Sequence, residues 1–251
     1  MDTRYRMTAN AVLLYYQDCW ARYMACLNMA AFDLVHQQQM WVITEFNACW
    51  ETATAYWSQD VEVSVWNSEL TGMKFYADFR MTKPDGSLIA HGSGCWTLLD
   101  TASHRPLAIA QALPEERLQL VGTERHRKER IPAGRNLLHE MSHRVNPINL
   151  DFNGHVNNRT YLSIAMQTVS GDFAQKQRLS RLTIRWQHET FLGDTLQCRL
   201  WDTEQANAYL AVISKEDNTG QTTPAMPVAQ IYAEMVEQTD DTIIDNEAPR
   251  V

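Results

Sequence analysis

The sequence predicts an α+β fold in which a long helix followed by a strand meander occurs twice in tandem. Apolar residues recur at steps of three and four in two separate stretches. Each stretch is followed by runs in which apolar and polar residues alternate, as they do in half-buried strands. The chain has 251 residues, of which 45% are apolar and 21% charged, so it can bury a substantial core.

The first half is assigned to residues 1–101. A largely buried helix is predicted over residues 9–34, and its apolar stripe is Val12, Leu13, Tyr16, Trp20, Tyr23, Met24, Leu27, Ala31 and Leu34. Strands follow, because apolar and polar residues alternate over residues 61–66. The turn sequence at residues 83–86 separates two further extended runs that end near Leu99.

The second half, residues 137–251, repeats this order with a predicted helix over residues 157–175 and alternating runs at residues 196–200 and 209–213. A turn at residues 217–220 and an acidic, frayed tail after Glu237 complete it. Two local echoes support a duplication, residues 66–69 with 201–204 and residues 50–52 with 188–190.

Residues 102–136 between the halves hold prolines, glycine and mixed charges without clean periodicity, so they are predicted to be a long connection. Because it exceeds the usual loop length, part of it, residues 113–120, is expected to be helical and to cross the back of the sheets.

Composition excludes several classes of protein. The five cysteines are scattered and lack C-x-x-C spacing, so neither a disulfide framework nor a zinc site is indicated, and a reducing, cytoplasmic location is expected. No run approaches the ~20 apolar residues of a membrane span, and no signal peptide is evident. The net charge of -8 disfavours nucleic-acid binding.

The most informative stretch is residues 149–161. Asp151, Asn153 and His155 occupy alternate positions, so in an extended segment their side chains would converge on one side. Gly154 permits a sharp turn before the helix. This pattern indicates a polar reaction centre, although Asn, Asp and Gly clusters also mark ordinary turns and a lone His is more often structural than catalytic.

The same segment places a helix N-terminus beside His155. Free N–H groups at a helix start can hold a developing oxyanion, and those of Val156 and Asn157 are the expected donors. His139 and His143 have metal-like spacing, but no third ligand is evident, so no metal and no cofactor are expected.

Leu150 to Tyr161 reads LDFNGHVNNRTY, which resembles the active-site segment of acyl-acyl-carrier-protein (acyl-ACP) thioesterases, both bacterial-type enzymes and plant fatty acyl-ACP thioesterases. The segment is also similar to single-hotdog acyl-CoA thioesterases, but Asn153 and the double length favour the carrier-protein family. The resemblance spans most of the chain. It implies two tandem hotdog folds, each a long central helix wrapped by an antiparallel sheet, with a degenerate first half that serves as scaffold and acyl tunnel.

The resemblance also implies a fourth site residue, Glu189, because the family has a glutamate at this place; the alternative is a solvated strand charge. His188 should point to the opposite face. Thr190 departs from the plant enzymes, which tend to carry cysteine there. The first-half counterparts of Asp151, Asn153 and His155 are expected among residues 5–10, where the sequence has no carboxylate or imidazole. Glu51 is the expected counterpart of Glu189 but lacks these partners, so one active centre per chain is predicted.

The implied function is hydrolysis of the thioester of fatty acyl-acyl carrier protein, which releases fatty acid and ends chain elongation. Asp151 attacks the carbonyl or orients water, Asn153 positions Asp151 or the acyl group, His155 transfers protons and Glu189 activates water. The alternatives are an acyl-CoA thioesterase and a noncatalytic acyl-binding hotdog protein. A hotdog dehydratase would carry its own His and carboxylate on a different segment, and none is found.

The expected partner, acyl carrier protein, is acidic, so a local basic patch must offset the chain's net charge. The densest candidate consists of Arg125, Arg127, Lys128 and Arg130 in the connection, with Arg178 and Arg181 preceding the Glu189 strand. The alternative is a solvated loop without a partner. Two hotdogs in one chain predict either a monomer, as a pseudo-dimer, or a homodimer.

Overall fold

The computed structural model describes residues 2, 4–121, 129–169, 177–216 and 226–237. The helices are α1 (Ala9–Cys26), α2 (Ala31–Leu34), α3 (Ile109–Ala112), α4 (Glu115–Leu118) and α5 (Asn158–Gln167). The strands are β1 (Gln39–Trp50), β2 (Glu62–Thr71), β3 (Lys74–Thr82), β4 (Leu88–Asp100), β5 (Leu137–Arg144), β6 (Gln177–Trp186), β7 (Thr195–Asp202), β8 (Ala208–Lys215) and β9 (Pro227–Glu237).

These strands form one nine-stranded sheet in the order β2-β3-β4-β1-β6-β9-β8-β7-β5. Every pairing in it is antiparallel. The order β1-β4-β3-β2 of the first half therefore recurs as β6-β9-β8-β7 in the second, and β5 extends the second half by one strand. The predicted α+β class with a large antiparallel sheet is confirmed.

The long helices α1 and α5 contact each other, since Asn10 Nδ2 donates to Ser163 Oγ at 2.9 Å. Helix α1 buries an apolar stripe made of Val12, Leu13, Tyr16, Trp20 and Met24. No helix among the described residues is long and apolar enough to cross a membrane.

Both long helices are shorter than predicted. Helix α1 ends at Cys26 and not near residue 34, because Asn28 adopts a left-handed conformation (φ +54°) that cannot continue an α-helix. The chain resumes helical structure only in α2. Helix α5 ends at Gln167, where the Thr168 hydroxyl donates to the Ala165 carbonyl at 2.7 Å. The rest of its predicted range reaches residues 170–175, outside the described part.

The connection between the halves contains two short helices, and α4 lies within the range of residues 113–120 that was predicted to be helical. Leu113, which follows α3, and Leu118 in α4 are buried, and Asn67 Nδ2 donates to the Leu118 carbonyl at 3.0 Å. Further on, the Glu129 carboxylate accepts from Arg181 at 2.9 Å and from Thr183 at 3.2 Å. Both ends of the connection are therefore anchored to strands. The predicted turn at residues 217–220 and the tail lie outside the described residues.

Aromatic side chains fill the interior of the first half. Trp20 stacks on Trp96 with ring centroids 3.7 Å apart, and the Trp96 indole donates to the Tyr16 hydroxyl at 2.9 Å. Phe46 and Phe79 stack at 5.6 Å. A cavity of about 610 Å³ lies against the C-terminal half of α5 and is lined by residues of both halves. We refer to it as the α5 cavity.

A substitution at Gly94 on β4 would test this aromatic packing. A Cβ at this position would lie 2.1 Å from the Tyr16 hydroxyl oxygen, which is fully buried. We expect Gly94→Ala to lower the free energy of unfolding by about 1–3 kcal/mol, because overpacking forces a buried side chain to move. Denaturant unfolding measures this loss. Ser93→Ala, on the opposite face of the same strand, is the control, and an equal effect of the two changes would contradict the packing argument.

Candidate active site

The segment before α5 is a hydrogen-bonded loop and not the predicted extended run. The Asp151 N–H donates to the His155 carbonyl at 2.8 Å. In the other direction, Asp151 Oδ1 accepts the N–H groups of Asn153 at 2.8 Å and His155 at 3.2 Å. Gly154 adopts φ +78°, which suits glycine. The prediction of alternating side chains on a strand is wrong here, because the aspartate closes a turn on its own backbone.

A second segment, residues 189–191, lies against this loop. The Val156 N–H donates to the Thr190 carbonyl at 2.9 Å, and His155 and Phe191 form an antiparallel bridge. This pairing brings His155 Nδ1 to 3.6 Å from Glu189 Oε1. The distance is beyond a hydrogen bond but within the range of an ion pair. The side chains are 20% and 32% exposed, so both can reach a ligand.

The other predicted residues occupy different surroundings. Asn153 is exposed, and its side chain has no hydrogen-bond partner among the described residues. His188 is also exposed, as expected for a residue pointing away from Glu189. The structure therefore brings His155 and Glu189 together beside Asp151 and leaves the Asn153 side chain at the surface.

The hydroxyl groups of Tyr161 and Thr190 are buried beside the site. The sequence did not predict that they pack against each other. Tyr161 Oη and Thr190 Oγ1 are 2.6 Å apart, and Thr190 is fully buried. Burial is the main reason that the pKa of Tyr161 is raised to about 12; the nearby carboxylates of Asp194, Glu189 and Asp151 also raise it, and the hydrogen bond with Thr190 lowers it. Thr190 is thus a packing partner of Tyr161. No local pattern pairs the two hydroxyl groups, because the residues lie 29 positions apart.

The predicted oxyanion donors are already occupied. The Val156 N–H donates to Thr190, and the Asn157 N–H donates to the Asn149 carbonyl at 2.8 Å. The Asn157 side chain caps α5 by accepting the Arg159 N–H at 3.0 Å. The assignment of Val156 and Asn157 is therefore wrong for this arrangement, because strand-like pairing and helix capping use both groups. Among the described residues, the N–H of Asn158, the first residue of α5, has no partner.

The first half contains a copy of this loop before α1. The Asp2 N–H donates to the Arg6 carbonyl at 2.9 Å. The Asp2 Oδ1 accepts the N–H groups of Arg4 at 2.8 Å and Arg6 at 2.9 Å. Tyr5 has φ +61°, like Gly154, and Thr8 caps α1 as Asn157 caps α5. The copy therefore matches Asp2 with Asp151 and Arg6 with His155.

The strand side of the copy corresponds as well. The Met7 N–H donates to the Ala55 carbonyl at 2.9 Å, and Arg6 bridges Tyr56 as His155 bridges Phe191. Thr54 therefore occupies the position of Glu189. Glu51, which was expected there, has its Oε1 atom 3.4 Å from His91 Nε2.

This correspondence corrects the predicted alignment, which placed the counterparts among residues 5–10 and found no carboxylate. A carboxylate is present in Asp2, and hydrogen bonds and the charge of Arg6 lower its pKa against the opposing effect of burial. Arginine and threonine stand where an imidazole and a glutamate would be needed. The copy therefore lacks a general base or acid suited to neutral pH, which supports one centre per chain.

Among the described residues, the remaining candidates do not come together in a site. His139 and His143 lie four residues apart on β5, a separation of about 13 Å along a strand. No cluster of three metal-binding side chains exists among the described residues. Of the basic patch, Arg125, Arg127 and Lys128 lie outside the described residues and Arg130 is exposed. Arg181 is paired with Glu129.

Three solved structures with the same fold are described as thioesterases. One is described as an oleoyl thioesterase from Lactobacillus plantarum, with 17% identity, a TM-score of 0.81, and coverage of 96% of this chain and 93% of that chain. An acyl-ACP thioesterase from Bacteroides thetaiotaomicron has 16% identity, a TM-score of 0.77, and coverage of 94% and 93%. The 12:0-ACP thioesterase from Umbellularia californica has 14% identity, a TM-score of 0.74, and coverage of 95% and 93%. At these identities the likeness shows a shared fold.

The sequence of the second half indicates a family and not only a fold. Residues 135–227 match the family model of the acyl-ACP thioesterase C-terminal domain. The matched range contains the loop, α5 and Glu189, so it confirms the resemblance to the acyl-ACP thioesterase family. Together with the fold it indicates a thioester hydrolase. No curated protein matches the chain by sequence.

The hydroxyl pair below the site gives a test of its packing. We expect Thr190→Val to lower the free energy of unfolding by about 1–3 kcal/mol, because it leaves the buried Tyr161 hydroxyl without its partner. The double variant Thr190→Val/Tyr161→Phe should cost less than about 1 kcal/mol, because both polar groups are then absent. Denaturant unfolding of all variants completes the cycle. Additive losses in the double variant would show that the two groups are not coupled.

Proposed function

We propose that this chain hydrolyses the thioester of fatty acyl-acyl carrier protein, releasing free fatty acid and ending chain elongation. The observation that carries the proposal is the pairing of His155 with Glu189, at 3.6 Å, inside a domain that matches the family. A thioester carbonyl is already a good electrophile. A site that cleaves it therefore needs a positioned water, a base and an acid more than an activated serine or cysteine.

In the proposed reaction, Glu189 accepts a proton from a water molecule while the oxygen of that water attacks the thioester carbonyl carbon. The C–S bond then breaks, and His155 gives a proton to the departing thiolate. Before the attack, the Glu189 carboxylate stabilises the protonated imidazole of His155, since opposite charges at this separation attract in a partly buried site. After the C–S bond has broken, the proton on Glu189 passes to His155, which restores both groups for the next turnover. The products are a fatty acid and the thiol of the carrier.

We assign Asp151 a positioning role. Its Oδ1 atom is engaged with two backbone N–H groups, which hold His155 at the mouth of the loop. Asp2 makes the same two contacts in the first-half copy, where His155 and Glu189 have no equivalents. The aspartate therefore stabilises the loop even in the first-half copy, which lacks the proposed catalytic side chains. Asn153, whose side chain is exposed, is proposed to contact the acyl carrier portion of the substrate.

The oxyanion donor must be an N–H group without a hydrogen-bond partner, and the N–H groups of Val156 and Asn157 already have partners. Asn158 begins α5, and its carbonyl accepts the Trp186 indole N–H at 3.2 Å, which orients the residue. We propose the Asn158 N–H as the donor, because a helix N-terminus also contributes a favourable dipole.

The fold proposed for this function is a pair of tandem hotdogs, with the halves at residues 1–101 and 137–251 and the connection at residues 102–136. The repeated strand order and the two copies of the loop support this division. Pairing of β1 with β6 supplies within one chain the contact that single hotdogs obtain by dimerising. A monomer is therefore the proposed working unit.

Substitutions separate the proposed roles. His155→Ala and Glu189→Gln should each lower turnover about 100-fold or more, because each removes a proton-transfer group. Asp151→Ala should be similarly impaired. Asp151→Asn should retain roughly a tenth of turnover or more, since its amide oxygen still accepts the loop N–H groups.

Steady-state release of thiol from an acyl carrier substrate measures these effects, and His188→Ala, exposed beside the site, is the matched control. Turnover of Glu189→Gln near that of the unmodified chain would remove Glu189 from the site. Complete loss in Asp151→Asn would indicate attack by Asp151 itself.

Substrate class is tested by side-by-side kinetics on acyl-carrier-protein thioesters of several chain lengths and the matching coenzyme-A thioesters. We expect kcat/KM to be at least about tenfold higher for the carrier-bound chains, because the carrier adds binding energy that coenzyme A lacks. Equal values would favour the acyl-CoA thioesterase alternative. Absence of thiol release from every substrate would favour a noncatalytic acyl-binding protein.

A further inference from the structure

The α5 cavity lies beside the first-half copy of the catalytic loop. Its polar lining includes Asp2, Arg6, Thr8, Thr54 and Tyr56, which belong to the copy and its partner segment, and we call this side the mouth. Most of its apolar lining comes from the second half, including Leu162, Ala165, Leu182, Leu200, Ile231 and Ala233. The copy that lacks His155 and Glu189 thus opens into an apolar pocket of its own.

This cavity is separate from the proposed reaction centre. Leu162 is the first α5 residue that lines it, and it lies four residues, or about 6 Å of helix, after Asn158, where α5 begins. The catalytic loop and Glu189 are not part of its lining. A volume of about 610 Å³ falls within the range of pockets that enclose a whole small molecule.

The charges at the mouth favour an anionic head. Asp2 and Glu51 are partnered, the first by Arg6 at 2.7 Å and the second by His91 at 3.4 Å. Arg178 also lines the cavity, and its guanidinium donates only to the Glu51 carbonyl, at 3.1 Å. Among the described residues it has no carboxylate partner. A carboxylate is the group that a guanidinium binds best, and a neutral thioester would not use it.

We propose that the α5 cavity binds one free fatty acid, with its alkyl chain in the apolar interior and its carboxylate at Arg178. Arg6 and Thr54 supply neither a base nor an acid at the mouth, so an acyl chain is held there without chemistry. The first-half copy is then a ligand site for the class of molecule that the second half would release. Binding does not depend on whether the chain hydrolyses thioesters.

Isothermal titration with dodecanoate tests the proposal, and we expect one saturable site per chain. Ala233→Phe places a ring in the cavity and should weaken binding at least about tenfold. Arg178→Gln should weaken dodecanoate about tenfold but leave dodecanol binding unchanged, because only the carboxylate uses the charge. Arg199→Gln, on β7 and paired with Glu140, is the matched control.

Dodecanoate binding that neither Ala233→Phe nor Arg178→Gln weakens would overturn the proposal, as would no saturable binding at all. Equal loss of dodecanol in Arg178→Gln would overturn the assignment of the carboxylate. Thermal unfolding of each variant confirms that it is folded, and the Arg178→Gln result stands alone if Ala233→Phe is not. Because dodecanoate has no thioester, failure here leaves thioester hydrolysis untouched, and failure of hydrolysis leaves this binding measurable.

Discussion

The antiparallel pairing of β1 with β6 is the contact on which the rest of the molecule depends. It joins the two halves into one continuous sheet through the register Glu45↔Arg185 to Cys49↔Arg181. The Arg185 guanidinium binds the Glu45 carboxylate across this junction at 2.7 Å, and the two side chains are only 12% and 11% exposed. A buried ion pair favours one register, because a shifted pairing would leave both charges buried and unpaired.

With the junction set, α1 and α5 lie against each other, and each presents a capped N-terminus preceded by the same loop. Asp2 and Asp151 close these loops with equivalent hydrogen bonds. The two loops therefore share one backbone arrangement and differ in a few side chains. The second half places an imidazole and a glutamate at its loop, whereas the first places a guanidinium and a hydroxyl.

The interiors of the two halves also differ. The first half fills its interior with stacked indole and phenyl rings, whereas the second half contributes most of the lining of the α5 cavity. The half that carries the proposed chemistry therefore also lines the cavity that opens at the copy. The molecule therefore has two polar sites, one at the loop with His155 and Glu189 and one at the cavity mouth, where Arg178 has no carboxylate partner among the described residues.

Sequence alone predicted the α+β class, the presence of both long helices and the thioesterase resemblance of residues 150–161. These follow from periodicity and from a local motif, which are properties of neighbouring residues. Helix lengths were overestimated, because one left-handed residue, Asn28, ends α1 within an apolar pattern that continues.

Only the tertiary structure decided which groups are free and which positions correspond. Val156 and Asn157 lose their N–H groups to Thr190 and Asn149, partners that a linear motif does not name. The equivalence of Asp2 with Asp151 was missed because Tyr5 stands where the second loop has glycine, and the similarity lies in hydrogen bonds between backbone atoms. Contacts between segments distant in sequence depend on the fold as a whole, and so no local pattern could have determined them.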